Sequence, residues 1–129
     1  MDFTFTPLSA AALVPLYIWM TFRIVNHRRS EKISFGDGED QDLLRKMRAH
    51  GNFAEYAPLG LVLLALMEIC GTPNLIMALL MGMLVVGRYA HAYSFIRQPM
   101  NFRARVFGMF LTIATMGICA FGLLIHATI

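Results

Sequence analysis

Four long apolar blocks constrain this chain more than any other feature of its sequence. They run from about Phe5 to Phe22, Phe53 to Cys70, Leu75 to Phe95 and Val106 to Ile125. Blocks of about 18 or more apolar residues are typical of membrane spans, and at roughly 1.5 Å per residue each approaches the ~30 Å hydrocarbon core. Helices satisfy their own backbone hydrogen bonds in lipid, and the alternating segments of a barrel are missing from the sequence.

The blocks therefore predict an all-α integral membrane protein, a four-helix up-down bundle. We expect a single membrane domain over residues 1-129, with spans of about 5-25, 40-70, 74-96 and 103-126.

The basic residues indicate how the spans are oriented. All eleven lysines and arginines lie around the first and third connections, and none precedes the first block or follows the last. The positive-inside rule therefore puts both termini outside and loops 1 and 3 in the cytoplasm. Asp2, in place of a basic residue, precedes the first block, which argues against a cleaved signal peptide. The net charge of +3 comes from the ends of spans, so it indicates headgroups or solvent, with no nucleic-acid partner.

Local signals mark the helix boundaries. Thr6 before Pro7 predicts a capped start for the first helix. The acidic stretch after the Gly36-Asp37-Gly38 turn signal predicts that the second helix begins near Asp40, before its apolar part. The Gly71-Thr72-Pro73-Asn74 turn makes spans two and three an antiparallel hairpin.

Ionisable side chains inside the blocks are costly in lipid and are the first candidates for function. Glu55 lies 15 residues before Cys70, and Arg88 lies 14 residues after Asn74. These separations put both charges roughly 21–22 Å from the same turn, at one level of two adjacent helices. They could form a structural ion pair or bind a ligand, and the sequence leaves both readings open. Glu68, near the outer end of its helix, is expected to reach water.

Polar side chains form a stripe on each of these two helices. The stripe on the second span, at i, i+4, i+7 and i+8, consists of Arg48, Asn52, Glu55 and Tyr56. Its guanidinium, amide and carboxylate suit a short zwitterionic molecule such as a peptide. Arg88 and His91 form the second stripe at i and i+3.

The remaining polar and sulfur-containing residues favour structural roles. Cys70 and Cys119 are expected to pack as small apolar residues, with no spacing that supports a disulfide. Tyr89 and Tyr93 are expected in an interfacial belt or in packing. No metal-ligand spacing occurs, so no metal is expected.

With these residues in place, the chain resembles the MAPEG family, the membrane-associated proteins in eicosanoid and glutathione metabolism. The resemblance covers essentially the whole chain, and its most specific part is the Arg48-x3-Asn52-x2-Glu55-Tyr56 run. The Gly36-Asp37-Gly38 loop and the Arg48-Ala-His50-Gly-Asn52 run are more similar to the bacterial branch.

The resemblance implies a homotrimer in a bacterial inner membrane, with glutathione as co-substrate held between neighbours near the cytoplasmic face. The thiolate would attack, or reduce, a lipophilic electrophile that arrives from the membrane lipid. The implied glutathione-binding residues are Arg28, Arg48, His50, Asn52, Glu55, Tyr56, Arg88 and His91. The implied thiolate-activating arginine is one of Arg29, Arg103 and Arg105.

Two positions depart from the family pattern. Phe95 stands where a tyrosine is often found, and His50 stands where the eicosanoid enzymes tend to have glutamine. Both departures bear on catalysis and substrate more than on glutathione binding. Two other functions stay open: a non-catalytic membrane scaffold of the same fold, and a small proton-coupled multidrug transporter that uses Glu55. Arg88 disfavours the transporter, because a guanidinium at the same depth would repel cationic drugs.

Overall fold

The computed structural model describes residues 3–96 and 98–128, and this part of the chain forms four helices. They are α1 (Phe5–Glu31), α2 (Gln41–Ile69), α3 (Asn74–Ser94) and α4 (Phe102–Thr128). Each is long and apolar enough to cross a membrane, so the predicted all-α architecture with four spans is confirmed. Asp2 and Arg97, which entered the charge argument, lie outside the described residues.

The helices are arranged with α2 and α3 in the middle of the bundle. Both α1 and α4 pack on this central pair, and within the described residues α1 and α4 do not touch each other. The core between the helices is apolar and includes Leu13, Leu64 and Leu84. The outer faces are apolar too, as lipid contact requires. The central pair separates two polar regions. We name the one that contains His50 the α1 side and the one that contains Arg88 the α4 side.

The start of α1 is capped by a carboxylate from another helix. The helix begins at Phe5, and Thr4 at the N-cap position makes no side-chain cap. Instead, the Glu68 carboxylate of α2 accepts hydrogen bonds from the backbone N–H groups of residues 4, 5 and 6, with N···O distances of 2.5, 2.6 and 2.8 Å. An anion is favoured there by the unpaired N–H groups and the positive end of the helix dipole. Glu68 is only 8% exposed, so the predictions that it reaches water and that Thr6 caps the helix are wrong.

The start of α2 agrees with the prediction, since Asp40 occupies the N-cap position before Gln41. The Asp40 carboxylate accepts hydrogen bonds from the backbone N–H groups of Asp42 and Leu43. Its Oδ2 atom lies 2.7 Å from His27 Nε2. The Leu43 amide, followed by the His27 side chain, lowers the pKa of Asp40 to about 2. The same contacts fasten the end of α1 to the beginning of α2.

Two glycines allow α3 and α4 to approach closely. A Cβ on Gly108 would lie 2.5 Å from both the Gly87 carbonyl oxygen and the His91 backbone nitrogen. Small residues of this kind are what lets the backbones of membrane helices meet. The contact between Gly87 and Gly108 lies next to Arg88 and therefore sets the distance between α4 and the Arg88 side chain.

Candidate functional site

Arg88 forms the centre of the polar cluster on the α4 side. Its side chain is almost fully buried, with 1% exposed. The Nε–H donates to Thr112 Oγ1 at 2.9 Å, and Nη1 donates to Asn52 Oδ1 at 2.9 Å. Nη2 lies 3.6 Å from Met109 Sδ, and the Tyr56 ring centroid lies 5.7 Å from the guanidinium carbon. One cation thus joins α2, α3 and α4 through partners that are all neutral.

Of the two readings that the sequence left open, the ion pair between Glu55 and Arg88 does not form in the single chain. No acid lies within ion-pair distance of Arg88 among residues 3–96 and 98–128, and the acceptor that α2 offers to the guanidinium is the amide oxygen of Asn52. Glu55 lies one turn further along α2 and is exposed on the surface of the chain. Hydrogen bonds to neutral groups satisfy part of the guanidinium but leave its buried charge uncompensated. The chemistry of the cluster therefore favours an anion.

His91 extends the cluster by one turn of α3 toward the basic end of the bundle. It is 4% exposed, and its ring centroid lies 5.3 Å from that of Phe95. The guanidinium carbon of Arg105, from the first turn of α4, lies 5.4 Å from the Phe95 centroid. Phe95 thereby connects Arg105 to His91, whereas Arg103, two residues earlier, is simply exposed.

His50 belongs to the α1 side, away from this cluster. Its Nε2 lies 3.0 Å from Thr21 Oγ1, and its ring centroid lies 4.7 Å from that of Tyr17. Arg28 and Arg29 lie in the last turn of α1, on the same side. A single chain therefore splits the predicted site across the central pair of helices.

Arg48 completes the stripe on α2 and, like Glu55, is exposed. The single chain thus brings together the buried or half-buried residues of the two predicted stripes and leaves the two charged residues of the α2 stripe on its surface. The residues brought together are Asn52, Tyr56, Arg88 and His91.

Sequence reasoning missed Thr112, which supports Arg88 from the opposite helix. The Thr112 hydroxyl donates to the Gly108 carbonyl oxygen at 2.9 Å while it accepts from Arg88. Thr115 makes the same kind of bond to the Leu111 carbonyl oxygen at 2.8 Å. Because helical threonines commonly bond the carbonyl four residues earlier, no signal in the sequence separates the two.

The sulfur and metal chemistry of the described residues is sparse. Cys119 is buried in the core and Cys70 is partly exposed, and both are free thiols. In the part of the chain that the structure describes, no group of three or more His, Cys, Asp or Glu side chains could hold a metal ion.

The fold and the cluster together define a class of protein: a four-helix membrane protein with an arginine-centred polar site between its helices. The chain belongs to the MAPEG family, whose model matches residues 6–125.

Two curated relatives are similar to this chain over part of its length. It is 32% identical over 80 residues to the inner membrane protein YecN of Escherichia coli K12, and equally to YecN of Escherichia coli O6:H1. The aligned part covers 62% of this chain and 61% of each relative, so the chain spans about three fifths of their length. No solved structure matches.

Proposed function

We propose that this protein is a membrane-bound, glutathione-dependent transferase or peroxidase that acts on a lipophilic electrophile. The observation that carries the proposal is the state of Arg88, which is buried between membrane helices and bonded only to neutral groups. A guanidinium that served only to join helices would be better stabilised by a carboxylate within the chain. Arg88 instead offers a buried cation to an incoming anion, and glutathione, which the family generally uses, carries carboxylates.

The exposed polar face of α2 supports self-assembly. Arg48 and Glu55 lie on the surface of α2, and the other exposed side chains of this helix after Arg48 are apolar, such as Leu59 and Val62. A carboxylate about 22 Å from the outer turn is costly against acyl chains. A homotrimer with α2 facing a neighbouring subunit would cover this surface and leave room for glutathione beside it. The YecN relatives are inner membrane proteins, and we assign this chain to an inner membrane as well.

Assembly would also reunite the two halves of the split site. Within one chain, His50 and the arginine pair Arg28 and Arg29 lie on the α1 side, and Arg88 lies on the α4 side. If α1 of one subunit faced α4 of the next, all of them would border one cleft. That cleft would open to lipid between subunits, where a lipophilic substrate can enter.

The chemical step needs a thiolate. A free thiol titrates near pH ~8.5, and a nearby guanidinium favours the ionised form. Among the three candidate arginines, Arg105 is best supported, because its contact with Phe95 holds it beside His91. Arg29 and Arg103 stay candidates from a neighbouring subunit.

A glutathione titration of the detergent-solubilised protein tests the proposal. Binding heat measures affinity, and ultraviolet absorption of the thiolate measures activation. We expect Arg48→Ala and Glu55→Gln each to weaken binding about tenfold or more, the value of one charged hydrogen bond. Arg45→Ala, in the second turn of α2, and Glu39→Gln, in the loop before α2, remove the same charges outside the stripe, and both variants should bind normally.

Results other than these would argue against the proposed function or favour a different one. Unchanged affinity in both stripe variants removes the basis of the proposal. Binding without thiolate absorption indicates a non-catalytic scaffold of the same fold. Efflux of a cationic drug from vesicles, abolished by Glu55→Gln, would instead indicate a proton-coupled transporter.

A further inference from the structure

Two cavities on the α1 side of the bundle share lining residues with a third between them, and together they form one groove. Its lower part lies between α1 and α3, and its upper part lies between α1 and α2. Its lower part has a volume of about 340 Å³ and is lined by apolar and aromatic side chains, among them Leu16, Trp19 and Ile96. Its upper part, of about 450 Å³, is lined by polar residues that include Arg23 and Asn26. A narrow neck that contains both Trp19 and Arg23 joins the two parts. Volumes of this size are typical of ligand sites.

The change from apolar to basic occurs at the depth where a membrane ends. Arg23 lies 18 residues after the start of α1 at Phe5, which is roughly 27 Å along the helix. The hydrocarbon core is ~30 Å thick, so Arg23 lies where lipid headgroups begin. Trp19, one turn earlier, has the position of an interfacial aromatic residue. The groove therefore has the same polarity profile as a phospholipid.

Of the arginine and lysine side chains that line the groove, Arg23 and Lys46, Arg23 is the one whose charge is not compensated by an ion pair among the described residues. Its guanidinium carbon lies 4.9 Å from the Trp19 ring centroid, which orients it at the neck. Lys46, on the other wall, forms an ion pair with Asp42 at 2.7 Å and also contacts His27. Among the described residues, no ion pair includes Arg23.

We propose that this groove binds one anionic phospholipid, with its phosphate at Arg23 and an acyl chain along Trp19 and Leu16. Asn26, three residues after Arg23 and exposed, adds an amide that can donate to the phosphate. Basic cavities between membrane helices on the cytoplasmic side commonly hold anionic headgroups. The apolar lower part favours a lipid over a free phosphate, because a soluble anion would leave it unfilled. Within one chain, the groove and the Arg88 cluster lie on opposite sides of the central helix pair and share no lining residue.

Native mass spectrometry of the purified protein tests this assignment. The protein is exposed to equal amounts of phosphatidylglycerol and phosphatidylcholine with identical acyl chains. We expect the wild type to retain phosphatidylglycerol about fivefold better, the value of one basic residue near an anionic headgroup. Arg23→Gln should bring the ratio close to one, and Arg23→Lys should largely restore it. Lys32→Gln removes the same charge just after the end of α1, outside the groove, and should leave the ratio unchanged.

Three results would overturn the assignment. Equal retention of both lipids by the wild type, or an unchanged ratio in Arg23→Gln, would exclude a headgroup site at Arg23. Release of phosphatidylglycerol by excess glycerol phosphate would indicate a site for a soluble anion. Release by a neutral lipophilic aryl halide would assign the groove to substrate. Glutathione affinity should be normal in Arg23→Gln. Failure of the lipid assignment can therefore be distinguished from failure of the proposed glutathione-dependent function.

Discussion

Replacing Thr112 by valine removes one of the two oxygen acceptors of Arg88 and changes little else. Valine has nearly the shape of threonine, and Thr112 is fully buried, so no cavity forms and no solvent replaces the hydroxyl. The Nε–H of Arg88 then loses its 2.9 Å bond inside the bundle. Because valine also removes the bond from the Thr112 hydroxyl to the Gly108 carbonyl oxygen, the contribution of the Arg88 bond is the loss in excess of that caused by the same change at a threonine with only the carbonyl bond.

The expected magnitude follows from the charge of the donor. Hydrogen bonds to charged groups contribute about 1.5–3 kcal/mol, whereas polar contacts between membrane helices average about 0.6 kcal/mol. We expect the free energy of unfolding to fall by about 1.5 kcal/mol, at the lower end of the range for charged donors. Glutathione affinity should fall as well, because the hydrogen bond to Asn52 is then the one bond to an oxygen acceptor that still orients the Arg88 side chain.

Thr115→Val is the matched control for this prediction. Thr115 lies one turn later on α4, is equally buried, and bonds only the Leu111 carbonyl oxygen of its own helix. We expect it to lower the free energy of unfolding by less than Thr112→Val does, because it removes only a bond within one helix, and to leave glutathione affinity unchanged. Unfolding in mixed micelles and calorimetry measure the two quantities. Equal losses in the two variants would refute the central position given to Arg88.

Three further predictions concern the frame around the site. Gly108→Ala should push α4 away from α3 and lower stability by about 1–3 kcal/mol in thermal melts. Gly117→Ala is the control and should be neutral, because a Cβ at that position meets nothing within 4 Å. Glu68→Ala should cost about 2 kcal/mol, since it leaves three backbone N–H groups of α1 unpaired, and Glu39→Ala in the exposed loop should not. Because the pKa of Asp40 is lowered from 3.8 to about 2, its contribution to the start of α2 is complete above about pH 4 and is lost as the pH falls toward 2. Asp40→Asn should abolish this acid-side change in helicity by circular dichroism, and an identical titration curve in that variant would exclude Asp40 as its source.

Features that depend on neighbouring residues alone were predictable from the sequence. The four apolar blocks predict four helices because lipid forces any long apolar segment to satisfy its own backbone. Asp40 was identifiable as a helix start because its carboxylate caps amides two and three residues ahead. Gly36 and Gly38 adopt positive φ angles of 68° and 60°, as their turn signal suggests.

Features that depend on helix rotation were not predictable. Counting residues from the turn gave the depth of Glu55 and Arg88, but it could not say which way each side chain points. In the structure Arg88 turns toward Thr112 and Asn52, while Glu55 turns outward. Glu68 shows the same limit, since only packing reveals that the first residues of α1 lie against its carboxylate.

The amino-acid sequence by itself determined that the chain forms four long apolar helices, where α2 begins, and which polar residue types lie on α2 and α3. Hydrophobic length and local capping are properties of neighbouring residues and need no partner helix. Only the tertiary structure decided that Arg88 is bonded to neutral side chains and that His50 lies on the opposite side of the central pair. The physical reason is that contacts between helices depend on how each is rotated about its axis, and close packing at positions such as Gly87 and Gly108 sets that rotation.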